Sequence, residues 1–143
     1  MPVWNEATGI ESTLEALAPL RSAGHEIIVV DAGSDDGTAA LARPLCDRVV
    51  DAEKGRAAQM NAGASVAHGN ILLFLHADTR LPSDALPRLQ AFMATRRTWG
   101  RFDVRLSAQR LLFRVIAWFM NTRSRLTGIC TGDQAMFVRR DVF

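Results

Sequence analysis

Acidic residues close three short apolar runs of the chain. Asp31 follows Ile27-Ile28-Val29-Val30, and Asp51 follows Val49-Val50. Asp78 follows Ile71-Leu72-Leu73-Phe74-Leu75 by way of His76-Ala77. Asp35 and Asp36 crowd in behind Asp31. Carboxylates gathered at one edge repel one another unless a cation lies between them, and oxygen ligands suit Mg2+ or Mn2+. The pattern therefore predicts a divalent metal, with Asp78 as a ligand and phosphate oxygens completing the shell. For His76, two residues earlier, a hydrogen-bonding role is preferred over ligation. Asp78 also has a plainer reading, as the cap of a helix starting near Ser83. Neither GxxxxGK[ST] nor a GxGxxG after a strand is present, which leaves metal plus arginine to hold phosphate, with Arg56 as the candidate. Trp4 offers a flat face to a base or sugar, or simply fills core.

These residues need elements to position them. Ile71 to Leu75 is an unbroken apolar run, as expected of a strand covered on both faces, and Pro82 blocks its extension. A carboxylate at the carboxyl end of such a strand sits where open α/β sheets bind ligands. Upstream, a strand tail at residues 1–3 precedes a helix carrying Ile10, Leu14, Leu17 and Leu20, with Asn5 or Thr8 as its cap and Gly24 as its stop. Strands over 26–31 and 48–51 alternate with helices from Thr38 to about Leu45 and from about Ala57 to Ala67, although Gly63 counts against the latter. The alternation predicts an α/β fold with a mostly parallel central sheet and helices on both faces.

Beyond Pro82 the pattern changes. Leu86, Leu89, Phe92 and Met93 form a helical stripe, and Trp99 to Leu106 alternates like an antiparallel strand. Leu111 to Met120 reads preferentially as a core helix; the competing reading is an amphipathic surface touching a membrane or partner. Gly132 to Arg140 reads as a loop leading into a strand. The chain thus divides into a first half, 1–82, and a second half, 83–143, of one domain.

The bulk composition narrows the class. At 143 residues and 48% hydrophobic content, the chain supports a core and is not a disordered segment. Cys46 and Cys130 have neither metal spacing nor a CxxC partner, which suits small core residues in a reducing, cytoplasmic setting. No run approaches the length of a membrane span. The net charge of +2 conceals an asymmetry, because Asp103 is the only acid among nine arginines from Arg88 to Arg125. Lys54 is the only lysine, so basic contacts fall to guanidinium groups suited to bidentate pairing with phosphate or carboxylate. A solvated arginine surface is the alternative, and no nucleic-acid partner is expected.

Five segments in order resemble the family-2 inverting glycosyltransferases, whose nucleotide-sugar-binding α/β fold is called GT-A. They are Pro2-Val3-Trp4-Asn5-Glu6, residues 28–38 (IVVDAGSDDGT), Gly55-Arg56 through Asn61-Ala62-Gly63, Leu73-Phe74-Leu75-His76-Ala77-Asp78, and Gly132-Asp133-Gln134. The His-Ala-Asp-Thr form of the acidic motif is similar to a bacterial subgroup assigned to arsenosugar biosynthesis. The resemblance implies a nucleotide-diphosphate sugar as donor, transferred with inversion to an acceptor hydroxyl with a metal's help. It implies that Trp4 stacks on the base in a pocket shaped by Pro2 and Glu6, and that Asp31 and Asp35 hold base and ribose. Arg56 would approach the diphosphate, and Asn61 in the same segment would be a further substrate-binding residue. Asp78 would bind the metal as the last acid of a DxD motif whose first position is His76. Asp103 would lie near the acceptor, and Asp133 is the candidate base.

The departures from the family pattern are His76 in place of an acid, Ala32 in place of a second acid after Asp31, and termini that look cut. A receiver-like phosphoacceptor would need a lysine after Asp78, and there is none. A nucleotidyltransferase would show a glycine-rich basic loop where Asn5-Glu6-Ala7-Thr8 stands. A non-catalytic nucleotide-sugar-binding module remains the rival from another class. Contact with a membrane surface and association through an exposed strand edge are both open.

Overall fold

The computed structural model describes residues 1–106 and 111–143, apart from the Asp133 side chain. Its elements run β1 (Pro2–Val3), α1 (Ile10–Ser22), β2 (Ile28–Asp31), α2 (Thr38–Ala42), β3 (Arg48–Asp51), α3 (Arg56–Val66), β4 (Ile71–Leu73), α4 (Ala85–Met93), β5 (Trp99–Gly100), α5 (Leu111–Thr127) and β6 (Phe137–Arg139). Short 3-10 turns follow α2 and β6 and precede β6 at Gly132–Gln134.

The β-branched run of β2 lies at the centre of a parallel sheet, paired with β1 on one side and β3 on the other. Pro2 and Val3 face Val30 and Asp31, and Asp31 faces Asp51. This is the expected α/β arrangement, with helices crossing between parallel strands. Gly63, which weakens α3 as a sequence, has a packing reason: a Cβ there would meet the Val30 side chain at 3.0 Å. The helix lies so close to β2 that only glycine fits easily.

From β4 onward, still within residues 1–82, the chain departs from the parallel plan. The strand part of the 71–75 run is shorter than expected and pairs antiparallel with β6, in a second sheet ordered β4-β6-β5. Phe74 continues it with one further backbone bond, its N–H reaching the Met136 carbonyl at 2.8 Å. The expected strand over 99–106 reduces to β5, although Phe102 and Val104 keep the buried alternation. Phe92 and Phe102 both pack on Phe137, with ring centroids 4.9 and 5.4 Å away.

One core joins both sheets, running from Val3, Ile10, Leu14 and Val29 to Leu75, Phe92 and Phe137. The hydroxyl of buried Thr13 on α1 donates to the Ala77 carbonyl at 2.6 Å, fixing the loop that carries Asp78. An apolar cavity of about 850 Å³ lies among residues of both sheets and the helices beside them, with Leu17, Ile28, Met60, Leu73 and Leu89 in its walls.

Three helix expectations are corrected. Gly9, not Asn5 or Thr8, stands at the N-cap of α1, without a side-chain cap. Asp84 rather than Asp78 precedes α4, so Asp78 is not that helix's cap. The preferred core role for Leu111 to Met120 fails: α5 leaves Leu111, Leu112, Trp118 and Phe119 each at least 60% exposed.

Candidate functional site

The carboxyl ends of β1, β2 and β4 carry the loops in which the sequence places its chemistry. The first two loops are laced together. Asn5 adopts a left-handed φ of 54°, which Asn tolerates better than most side chains. From there its N–H donates to Ser34 Oγ at 2.9 Å, and its Oδ1 accepts the Asp35 N–H at 3.1 Å. The Glu6 N–H reaches Thr38 Oγ1 at 2.8 Å, and the Ala7 N–H reaches Asp36 Oδ2 at 2.9 Å. Asp36 also accepts from the backbone and hydroxyl of Thr38. Hydrogen bonds from the Thr38 hydroxyl and the Ala7 N–H hold the Asp36 carboxyl below the usual carboxylate range.

Asp31 is 3% exposed and turned into this network, accepting from the Ser34 N–H and hydroxyl. It braces the loop, whereas Asp35 is exposed beside it. Gln59 lies beneath both loops, buried on α3. Its amide donates to the Val3 and Val30 carbonyls at 2.8 and 2.9 Å, tying the carboxyl ends of β1 and β2 to a third element.

Trp4 stands out from this frame, 47% exposed. The Lys54 ammonium lies 3.0 Å from the centroid of its ring, a cation–π contact between the first loop and the loop after β3. Arg56 opens α3 and lines a cavity of about 220 Å³ together with Phe74, His76, Cys130, Thr131 and Gly132. His76 is packed so closely on Gly132 that a Cβ there would run into the imidazole. Asp78 is exposed, with the Thr79 hydroxyl at 3.2 Å from its Oδ1. Pro2 is held in β1, Glu6 is half-buried, and Asn61 is exposed on α3.

On the far side, Asp103 bridges Arg101, at 2.7 Å, and Arg125. Partial burial would push its carboxyl up, but the two guanidinium groups outweigh that and hold it below the usual range. Asp133 belongs to the turn after Thr131, and its side chain lies outside the described residues. Its neighbour Gln134 is buried, with Oε1 accepting the Thr131 N–H at 3.0 Å.

The expected gathering of Asp31, Asp51 and Asp78 around one metal does not occur. Among the described residues, no three His, Cys, Asp or Glu side chains assemble to hold an ion. One exposed carboxylate, with a histidine two residues away, suits a cation that takes most of its ligands from phosphate and water rather than from a protein cage.

The family model for glycosyl transferase family 2 matches residues 1–143, the whole chain. The chain belongs to glycosyl transferase family 2. It is 30% identical to a PGL/p-HBAD biosynthesis glycosyltransferase of Mycobacterium bovis (strain BCG / Pasteur 1173P2), covering all of this chain and 59% of that protein. It is 28% identical to an undecaprenyl-phosphate 4-deoxy-4-formamido-L-arabinose transferase of Aeromonas hydrophila, covering 97% of this chain and 46% of that one. Among solved structures, a mannosyltransferase from Pyrobaculum calidifontis in complex with GDP-Man and Mn2+ superposes with a TM-score of 0.72 at 25% identity, covering 99% of this chain and 43% of that one. A Mycobacterium tuberculosis glucosyl-3-phosphoglycerate synthase, solved with Mn2+, UDP and glucosyl-3-phosphoglycerate, shares the fold with a TM-score of 0.71 at 21% identity. It is covered over 55% of its length, so this family-2 chain spans about half the length of the relatives it matches.

Sequence reasoning missed Gln59, Thr13 and Asn5 as positioning residues. Gln59 had a signal, a large polar residue on the otherwise small-residue side of α3. The partners of Asn5 and Thr13 lie about 30 or more residues away and left no local trace.

Proposed function

We propose that the chain forms the donor-binding part of a glycosyltransferase that moves a sugar from a nucleotide diphosphate to an acceptor hydroxyl with inversion, assisted by Mg2+ or Mn2+. The observation that carries this reading is the exposed Trp4 ring, held on a braced double loop and facing the cation Lys54, with Arg56 at the start of α3 and His76 and Asp78 in the loop after β4. Flat apolar recognition and phosphate recognition thus stand side by side, as a nucleotide diphosphate requires.

In this reading the base stacks on Trp4, displacing Lys54 toward the phosphates, while Asp35 reaches the ribose. Asp31 acts through Ser34 by fixing the loop, rather than by direct contact. Arg56 pairs with the diphosphate, and Asp78 would be the protein's ligand to the cation. A bound divalent ion supplies Lewis acidity to the departing nucleoside diphosphate. The acceptor oxygen attacks the anomeric carbon from the face opposite the departing group. Its proton passes to a carboxylate, for which Asp133 is proposed, and the electron pair of the broken C–O bond leaves with the diphosphate.

Titration calorimetry of UDP and GDP, with and without Mn2+, tests the donor site. One nucleotide should bind only with metal, and Asp78→Ala should weaken it by about tenfold or more, a loss of about 1.4 kcal/mol. No binding by folded protein overturns the reading. A second reading, binding without transfer, draws on Asp103, whose carboxylate is engaged by two arginines and poorly placed to act as base. Donor binding without glycosyl transfer to any acceptor would select it.

A further inference from the structure

Helix α5 presents an apolar face that nothing in the described chain covers. Leu112, Trp118 and Phe119 are 60 to 64% exposed and Leu126 is 82% exposed, while Val115 and Ile116 are 42% and 38% exposed. At about 100° per residue, these six fall within one arc of roughly 160°. The opposite side is the one that docks, because Ala117 and Ser124 are buried. Asn121 holds the backbone of Val104 from both sides, at 2.9 and 3.0 Å, and its own carbonyl accepts from Arg101 at 3.1 Å. The exposed face is therefore fixed outward by hydrogen bonds rather than by chance of packing.

Its borders are cationic. On the same projection Arg114 and Arg125 run along one margin and Arg123 lies toward the other. No acid occurs between Asp103 and Asp133. Asp103 offsets Arg125 in part; Arg114 and Arg123 have no acidic neighbour on the helix. Phe119, near the middle of the face, and Trp118, at its margin beside Arg125, stack edge to face, 4.9 Å between centroids. A broad apolar arc with aromatic residues and arginine margins is the composition of a helix lying in a bilayer interface. No described helix is long and apolar enough to cross a membrane, which leaves lying flat as the mode of contact.

We propose that α5 docks on an anionic lipid surface, inserting Trp118 and Phe119 among the acyl chains while its arginines meet the headgroups. Charge complementarity selects this occupant over a second copy of the chain. An isologous pairing of two such faces would bring arginine margins together, where the described carboxylate, Asp103, is already engaged by Arg101 and Arg125 and leaves Arg114 and Arg123 uncompensated. The proposal does not depend on the donor-site reading.

Co-sedimentation with vesicles of phosphatidylcholine alone, and of phosphatidylcholine mixed with phosphatidylglycerol, tests it. Partition should be about tenfold or more stronger onto the anionic vesicles and should fall as salt rises. Trp118→Glu with Phe119→Glu should abolish binding to both kinds, whereas Arg114→Gln with Arg123→Gln should remove only the preference for anionic lipid. All four side chains lie outside the donor site, so unchanged UDP or GDP titration and urea unfolding establish that the variants fold. Equal or absent partition by the wild type overturns the proposal. So does a concentration-dependent dimer that the double glutamate variant dissolves, which would assign the face to a second copy.

Discussion

The two halves of the chain solve the problem of positioning loops in opposite ways. In the parallel half the loops after β1 and β2 are stitched to each other by side chains of Asn5, Ser34, Asp36 and Thr38, and Gln59 pins them from below. In the antiparallel half one residue, Asn121, carries most of the fastening of α5, and the helix turns its apolar side outward. A cross-braced pair of loops and a helix tethered at one point are the two results. Backbone groups held away from water need partners, and the two parts find them differently: side chains of one loop serve the backbone of the other in the first, and a single clamp from the helix serves Val104 in the second.

The contrast breaks most sharply at Gln59. Replacing it with Leu removes a buried donor from both the Val3 and Val30 carbonyls, of which Val3 keeps the Ala32 N–H at 3.2 Å, and unties α3 from the two strands, at a cost of about 1–3 kcal/mol. Gln59→Leu should lower the urea midpoint more than any single change in α5 and should weaken nucleotide binding with it. Asn121→Ala comes next. It removes a two-point clamp on partly exposed backbone and should cost about 1–2 kcal/mol. Here nucleotide affinity should remain at the wild-type value while hydrogen exchange at Val104 speeds up. If Asn121→Ala damaged nucleotide binding as much as Gln59→Leu did, the two halves would not be separable.

Gly132→Ala sharpens the comparison where the halves meet. The added methyl displaces the His76 ring, so the histidine's NMR signals should move and donor affinity should drop severalfold. Unfolding should change by less than about 1 kcal/mol, because the displaced ring is half-exposed.

The parallel half was the legible half. Its strands are β-branched and end in turn chemistry, so the alternation of Ile28–Asp31, Arg48–Asp51 and their helices could be read directly. The 71–75 run could not show its partner, since an apolar run is equally suited to parallel and antiparallel neighbours once both faces are covered. For α5, apolar density was legible and its direction was not. Burial depends on what Asn121 and Arg101 fasten, and those are tertiary contacts. Within the candidate site, Trp4, Arg56 and Asp78 were singled out by chemical type and remain proposals. Asp31 was singled out for its position, and the structure turns its carboxylate into the loop, a distinction that needs the Ser34 hydroxyl in view.

Each half also holds one carboxylate whose loss should be small, and acid separates them. Asp47 accepts the Ile27 N–H at 2.7 Å and pairs with Arg21 at 2.8 Å. The backbone bond is the larger influence, and with Arg21 it outweighs slight burial, so the carboxyl lies below the usual range. A carboxylate depressed on folding stabilises the native state above its unfolded pKa of about 3.9, and that stability fades as pH falls through the lower folded value. Asp103 obeys the same sign, but arginines alone supply its depression. Both side chains are more than a third open to solvent or close to it, so each contribution should be screened to about 0.5–1 kcal/mol. Asp47→Asn and Asp103→Asn should each flatten the acid limb of the stability curve below about pH 4. Added salt should erase the Asp103 contribution and spare much of that from Asp47, whose main partner is an uncharged N–H. Urea unfolding at pH 3 and pH 7, at low and high salt, reads all four cases, and equal salt sensitivity would show that Arg21, not the Ile27 backbone, governs Asp47.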